Sequence, residues 1–234
     1  ILPGAVNWMV AGKAVTHSER TSEAGRSGPS SLFGIQTWVA LPEGVEDRAA
    51  SFEHHPKDTL PELEAEGIKA KLIMGRAYGE TAPVSTFSDM FYLDVVLEAG
   101  ASVPLPHDHE DRGAYVTMGE IEVAGTTYAA GQMMVFRPGD RVSLKAGPSG
   151  ARLMLLGGET LNGPRYIWWN FVASSKEKSR RNYCSSEYFH GRRHRLPTPR
   201  PGQQASSRHA SVCDHRWLGM GTVHSQRICH FLCW

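Results

Sequence analysis

Short apolar runs cut by glycine and proline fill residues 1–174: "VNWMVAG", "FGIQTWVALP", "IKAKLIMG", "FYLDVVLEAG", "GAYVTMGEIEVAG", "GQMMVFRPGD", "RLMLLGG" and "YIWWNFV". Runs of this length with turn residues between them predict β-strands, and strands at this spacing predict an all-β sandwich or barrel. Helical periodicity is thin. Only "HPKDTLPELEAEG" (55–67) predicts a turn or so of helix, closed by Gly67. Residues 3–12 and 138–147 share Pro-Gly, six residues and then Ala-Gly, at an offset of 135. That offset is about the size of one domain, so the match predicts two similar β-units. The first copy starts almost at residue 1, whereas several strand-like runs precede the second. The first unit is therefore expected to lack its front half.

The text changes after residue 174. Residues 1–174 hold 14 Lys and Arg against 21 Asp and Glu, a net of −7, and residues 175–234 hold 11 against 3, a net of +8. The two halves cancel to the +1 of the whole chain, so overall charge makes no case for a nucleic-acid or membrane partner. All four cysteines (Cys184, Cys213, Cys229, Cys233) and six of the eleven histidines lie in the basic part. It has no sustained periodicity and reads as a disordered tail. A cysteine-free main body is not the composition of a disulfide-stabilised secreted domain, and no apolar run reaches the length of a membrane span. The expected setting is cytoplasmic, or nuclear in a eukaryote.

Several polar positions carry candidate chemistry. In "AVTHSERT" (14–21), His17 and Glu19 stand two apart. On a strand they share one face and present half of a metal site; on a turn they are a polar surface loop. An imidazole with a carboxylate suits Fe(II) or Mn(II). In "PLPHDHEDRGAYV", a strand would likewise place His107 and His109 on one face. By the internal repeat, His17 and Glu19 correspond to Arg152 and Met154, neither of which ligates a hard divalent ion. His54 and His55 read as part of a connection, with Pro56 holding His55 extended. Trp168 and Trp169 read as alternating faces of a strand, and Arg112 as a surface cation. Cys213 with His215, and Cys229 with His230 and Cys233, are nominal zinc ligands at a spacing that fits no standard finger.

Taken in order, "LPGAVNWMVAGKAVTHSERT", "FGIQTWVALP", "SFEHHP", "HEDRGAYVTMGEIEVAG", "GQMMVFRPGD", "RLMLLGG" and "GPRYIWWNFVASSKE" resemble the pirin family over residues 1 to about 178. The resemblance implies an all-β bicupin, two cupin-type β-barrels in one chain with a mononuclear iron in the first. Here residues 1–60 would be a remnant of the first barrel with its connection, 61–174 a near-complete second barrel, and 175–234 an atypical tail. Pirins hold the metal with three His and one Glu, two of them in a His-Ser-Glu motif that matches His17 and Glu19. The upstream His-x-His pair has no counterpart in this sequence. The resemblance further implies Fe(II), with Mn(II) as another fit, at His17 and Glu19. Its activity would be of quercetin 2,3-dioxygenase type, with Glu19 also acting as proton acceptor for a flavonol-like small molecule. The competing expectations are a redox-sensitive transcriptional co-regulator that binds a protein partner, and an inactive fragment. Neither a membrane nor direct nucleic-acid contact is expected.

Overall fold

In a computed structural model, the structure describes residues 2–15, 34–168, 171–179 and 231–233. The apolar runs become strands. Near the start, β1 (Val6–Val10) pairs antiparallel with β3 (Ser51–His55), and between them lies the short β2 (Ile35–Thr37). The main sheet follows: β4 (Glu62–Ala65), β5 (Ile68–Ala77), β6 (Glu80–Thr81), β7 (Met90–Leu97), β8 (Ser102–Pro104), β9 (Asp111–Val123), β10 (Thr126–Ala129), β11 (Met133–Phe136) and β12 (Ser143–Gly158). Its strand order is β10-β9-β12-β7-β5-β4, with β11 on β9, β6 on β5 and β8 on β12. A small hairpin, β13 (Tyr166–Trp168) with β14 (Phe171–Ala173), follows, and β15 (Phe231–Cys233) pairs with β2. The fold is the all-β cupin type.

The main sheet folds around an apolar core. Leu72 of β5, Phe91, Leu93 and Val95 of β7, Ala114 and Val116 of β9 and Leu153 and Leu155 of β12 are all completely buried. Each buried Leu or Val contributes about 1.5–3 kcal/mol relative to staying in water. The same strands also bury their outer face. Met74, Met90, Tyr92, Met154 and Leu156 form a second cluster with Leu60 and Val84, against which Val6, Trp8, Ile35 and Val39 pack. The near-continuous apolar runs in β7 and β12 thus arise because both faces are covered. Gly75 allows β5 to follow β7: its φ is +74°, and a Cβ there would stand 1.8 Å from the Met90 carbonyl oxygen, beside the register shift at Leu72/Met74.

One expectation is corrected. Lys57–Thr59 form a single 3₁₀ turn, but Glu62–Ala65 are strand and Gly67 belongs to the two-residue turn into β5. A carboxylate-rich stretch with one Leu also fits an exposed edge strand, which charge protects from further pairing. Residues 176–179 form one helical turn, and Lys178 reaches Glu46 at 2.9 Å and Asp47 at 2.8 Å.

That contact belongs to a buried polar joint. The Glu46 side chain is 8% exposed and accepts hydrogen bonds from Ser174 N–H and Oγ–H, both at 2.7 Å, besides Lys178. Arg165 Nε lies 3.9 Å from Glu46 and donates to the Leu41 carbonyl. One carboxylate thus fastens the segment after the main sheet to the loop between β2 and β3. The hydrogen bond to Asp47 raises the Lys178 pKa; burial opposes it, and Glu46 adds to it. A raised lysine pKa stabilises the fold fully below the ordinary value, about 10.4, and the contribution is lost as pH rises through the folded value.

Removing Leu93 or Leu155 side chains (Leu→Ala) is expected to cost about 2–5 kcal/mol in urea unfolding, whereas Val135→Ala, at an exposed position, stays within about 0.5 kcal/mol. Glu46→Ala leaves two cations facing a hole and is expected to cost about 3–5 kcal/mol. Its wild-type counterpart should lose stability above pH 10 more steeply than Lys178→Met, which thermal unfolding against pH will show.

Candidate functional site

The predicted ligands His17 and Glu19 lie outside the described residues. The approach to them is defined up to Val15. After β1 the chain turns at Ala11–Ala14, where Ala14 N–H bonds the Ala11 carbonyl at 3.1 Å and Lys13 N–H bonds the Arg48 carbonyl at 3.1 Å. Gly12 has φ +54° and passes so close to Arg48 that a Cβ would lie 2.2 Å from that carbonyl oxygen. Only glycine meets both conditions. The donor pair, imidazole and carboxylate, fits a borderline-hard divalent ion such as Fe(II) or Mn(II) in kind. Among the described residues, no group of three or more His, Cys, Asp or Glu is placed to hold a metal.

The β1–β3 ribbon behind this turn has two chemically different faces. Register places Val6 opposite His55 and Trp8 opposite Glu53, on the side that packs against the main sheet. There His55 Nε2 and Glu53 Oε2 are 2.9 Å apart, and Ser85 N–H donates to the same oxygen at 3.3 Å. Burial alone would raise the Glu53 pKa, but the hydrogen bonds from His55 and Ser85 outweigh it and hold the carboxyl below the usual glutamate value. The Trp8 Nε1–H is buried without a hydrogen-bond partner. On the opposite side, His54 Nδ1 meets Asn7 Oδ1 at 2.7 Å, and Phe52 is 62% exposed. His54 and His55 are therefore paired strand residues rather than parts of a bare connection. His55 is extended, as Pro56 requires.

The other candidates fall elsewhere. His107 and His109 lie on the loop between β8 and β9, not on a strand. Their rings are thus not set on one face by strand alternation, and His109 stacks on Phe91 with ring centres 5.8 Å apart. Arg112 is no surface cation. It is 2% exposed and donates to the Arg137 and Asp140 carbonyls, both at 2.7 Å, clamping the Pro138-Gly139 turn. The repeat-derived counterparts, Arg152 and Met154, point away from the main core. Arg152 makes a bidentate pair with Asp94 at 2.8 and 2.6 Å, and Met154 belongs to the outer cluster. The inward positions are Leu153 and Leu155, because extra residues bulge out of β12 between Ala146 and Ala151. Trp169 and the cysteines other than Cys233 lie outside the described residues. Cys233 is seen only as the backbone partner of Ile35.

The buried residues of the main core are Leu, Val, Phe, Ile, Met and Ala, with Tyr128 packed at their edge. The buried polar residues among those described are Glu46, Arg112 and Ser179, and sequence reading missed Glu46, Lys178 and Arg165 as partners. Two open grooves lie on the surface, one beside the ribbon and one at the end of β5 and the connection into β7. One, of about 690 Å³, lies between Leu2, Ala5, His54, Pro56, Lys57 and Leu60. The other, of about 500 Å³, lies against Arg76, Thr81, Phe87 and Asp89. Among the described residues no helix is long and apolar enough to cross a membrane.

Residues 92–187 match the pirin C-terminal cupin domain. The chain is 45% identical over 179 residues to a pirin-like protein of Caulobacter vibrioides, a match covering 76% of this chain and 61% of that one. It is 33% identical over 178 residues to a Pseudomonas aeruginosa protein provisionally named a quercetin 2,3-dioxygenase, covering 75% and 54%. The chain thus spans little more than half of each of these relatives. A crystal structure of quercetin 2,3-dioxygenase from Acinetobacter baumannii superposes with a TM-score of 0.59 at 24% identity, over 71% of this chain and 59% of that one. A Geobacillus kaustophilus protein gives 0.58 at 23% identity, over 70% and 67%. Both likenesses concern the fold.

Acid titration tests the ribbon pair. A glutamate with a lowered folded pKa stabilises above its ordinary value, about 4.3, and that stability is lost as pH falls through the folded value. Glu53→Gln is expected to flatten the acid limb of the stability profile below about pH 4.3 while leaving the neutral-pH fold intact, read by circular dichroism against pH.

Proposed function

The chain belongs to the pirin family, and from that premise we propose that it is a pirin-like metal-binding protein with His17 and Glu19 among the ligands, acting as a flavonol dioxygenase of the quercetin 2,3-dioxygenase type. The observation that carries this reading is the ordered turn at Gly12, which delivers the chain to a His-Ser-Glu triplet a few residues later. The similarity to a protein named for that activity supports the substrate class. Among the described residues no group of three or more His, Cys, Asp or Glu forms a competing donor set.

Fe(II), or Mn(II), bound at this position would supply a Lewis acid for the hydroxyl and keto oxygens of a flavonol. The protein's own part is to position and to move a proton. His17 in its neutral form would contribute one ring nitrogen as a donor. Glu19 is acceptor-only when ionised, so the carboxylate oxygen not engaged as a donor can take the flavonol hydroxyl proton. Ser18, which alternates to the other side if the segment is extended, plays no chemical part.

A second reading, recognition of a protein partner, draws on the exposed apolar side chains Leu2 (79%) and Phe52 (62%) on the ribbon. Turnover separates the two.

Anaerobic loading with Fe(II) is expected to give close to one metal per chain, reduced to background by His17→Ala/Glu19→Ala. The loaded chain should consume quercetin under O₂ and the double variant should not. Stoichiometric metal with no turnover would favour the partner-binding reading, and background metal in both proteins would sink the metal reading.

A further inference from the structure

One surface turn combines an asparagine, a glycine and a fixed arginine. Residues 159–165 connect β12 to β13, and Asn162, Gly163 and Pro164 are exposed there. Asn162 is the one asparagine of the sequence that precedes a glycine; Asn7, Asn170 and Asn182 precede Trp8, Phe171 and Tyr183. The φ of Gly163 is +71°, and a Cβ built there would meet no atom within 4 Å. Among the described residues nothing accepts a hydrogen bond from the Gly163 N–H. Asn7, by contrast, lies in a paired strand with its side-chain oxygen on His54.

The Arg165 guanidinium holds this turn by its carbonyls. Its Nη1 donates to Asn162 at 2.9 Å, Gly163 at 3.3 Å and Pro164 at 3.2 Å, while Nε and Nη2 both donate to the Leu41 carbonyl. The Arg165 side chain is 12% exposed, so the cation lies under the turn and close to it.

A free amide nitrogen next to a side-chain amide can close a ring on it. The Gly163 nitrogen gives up its proton and bonds to Asn162 Cγ; the Cγ–Nδ2 bond breaks, and ammonia leaves with that proton. Water then adds to one carbonyl of the resulting cyclic imide. Addition at Cγ breaks the new bond and gives aspartate on the original main chain. Addition at the main-chain carbonyl carbon of residue 162 breaks its bond to the Gly163 nitrogen, and gives isoaspartate with the main chain running through Cγ. An amide is exchanged for a carboxylate, with water as the only co-reactant. In isoaspartate the new carboxylate forms on the oxygen that Arg165 Nη1 already holds.

We propose that Asn162–Gly163 is a self-modifying site that hydrolyses to isoaspartate, with Arg165 as the receptor of the new carboxylate. The guanidinium draws electron density from the carbonyl carbon that water must attack. It then keeps the product, because a charge-assisted hydrogen bond is about twice as strong as the neutral one it replaces. The turn gains a negative charge and stays fastened to the cation beneath it.

The test incubates the full chain in mildly alkaline buffer, folded and in urea, and maps its peptides by mass spectrometry with the aspartyl and isoaspartyl forms separated. In the folded chain Asn162 is expected to convert before Asn7, with an equal amount of ammonia released. Gly163→Ala is expected to slow the conversion about tenfold, since a Cβ obstructs the ring-closing conformation. The ratio of isoaspartate to aspartate is expected to be about two- to fivefold higher in the folded chain than in urea. Arg165→Met should return it to the ratio found in urea. An intact Asn162 in the folded chain, while the chain in urea converts, would overturn the site. Equal ratios in the folded chain and in urea would overturn the role of Arg165, and this comparison decides even where Arg165→Met does not fold.

Discussion

Strand β12 has no face that it can leave in water, and the rest of the fold follows from that. Leu153 and Leu155 fill the interior of the main sheet, while Met154 and Leu156 point the other way and are buried too. β7 does the same with Phe91, Leu93 and Val95 on one side and Met90 and Tyr92 on the other. A sheet apolar on both faces needs a second layer, and Val6, Trp8, Ile35 and Val39 supply it. The β1–β3 ribbon is therefore not an appendage. A two-stranded ribbon is marginal in water by itself, and this one draws its stability from the outer face of β7 and β12.

This two-sided burial also governs where chemistry can sit. The interior is sealed by Leu, Val, Phe and Ala, and the outer cluster by Met, Leu and Tyr. Charges that enter the packed region are tied at once: Arg152 to Asp94, Arg112 to two carbonyls, Glu46 to Ser174 and Lys178. An uncompensated charge in such surroundings costs several kcal/mol, so each acts as a fastener of chain to chain. Among the described residues, polar groups with solvent access lie on the ribbon and in the two surface grooves.

The strands were legible in the sequence because both signals for them are local. Apolar runs of four to eight residues with glycine or proline between them identified β1, β5, β7, β9, β11 and β12. What failed depended on distant partners. Arg112 reads as a surface cation until the Pro138-Gly139 turn, over 20 residues away, closes over it. Glu46 looks like one more loop carboxylate, because its partners Ser174 and Lys178 lie 128 and 132 residues further on. The internal repeat located real strands. A period-2 pattern inverts when one residue is inserted, and β12 carries a bulge between Ala146 and Ala151, beyond which Leu153 and Leu155 face inward while Arg152 and Met154 face outward.

The candidate site was legible as residue types and not as a place. His17 and Glu19 are two letters apart, which defines a donor pair, but a donor pair becomes a site only when the backbone on each side is held. The structure supplies the near side of that requirement. Gly12 accepts a conformation other residues resist, Lys13 is bonded to Arg48, and Arg48 rests on Phe87 in the connection between β6 and β7. None of these contacts has a signature in sequence, because Arg48 and Phe87 lie 39 residues apart and meet only in the folded chain. Their meaning comes from one crossing, in which a carbonyl approaches a glycine too closely for any side chain. The same crossing ties the turn after β1 to the loop that leads into β3, so the two strands of the ribbon are fastened at that end as well as along their ladder.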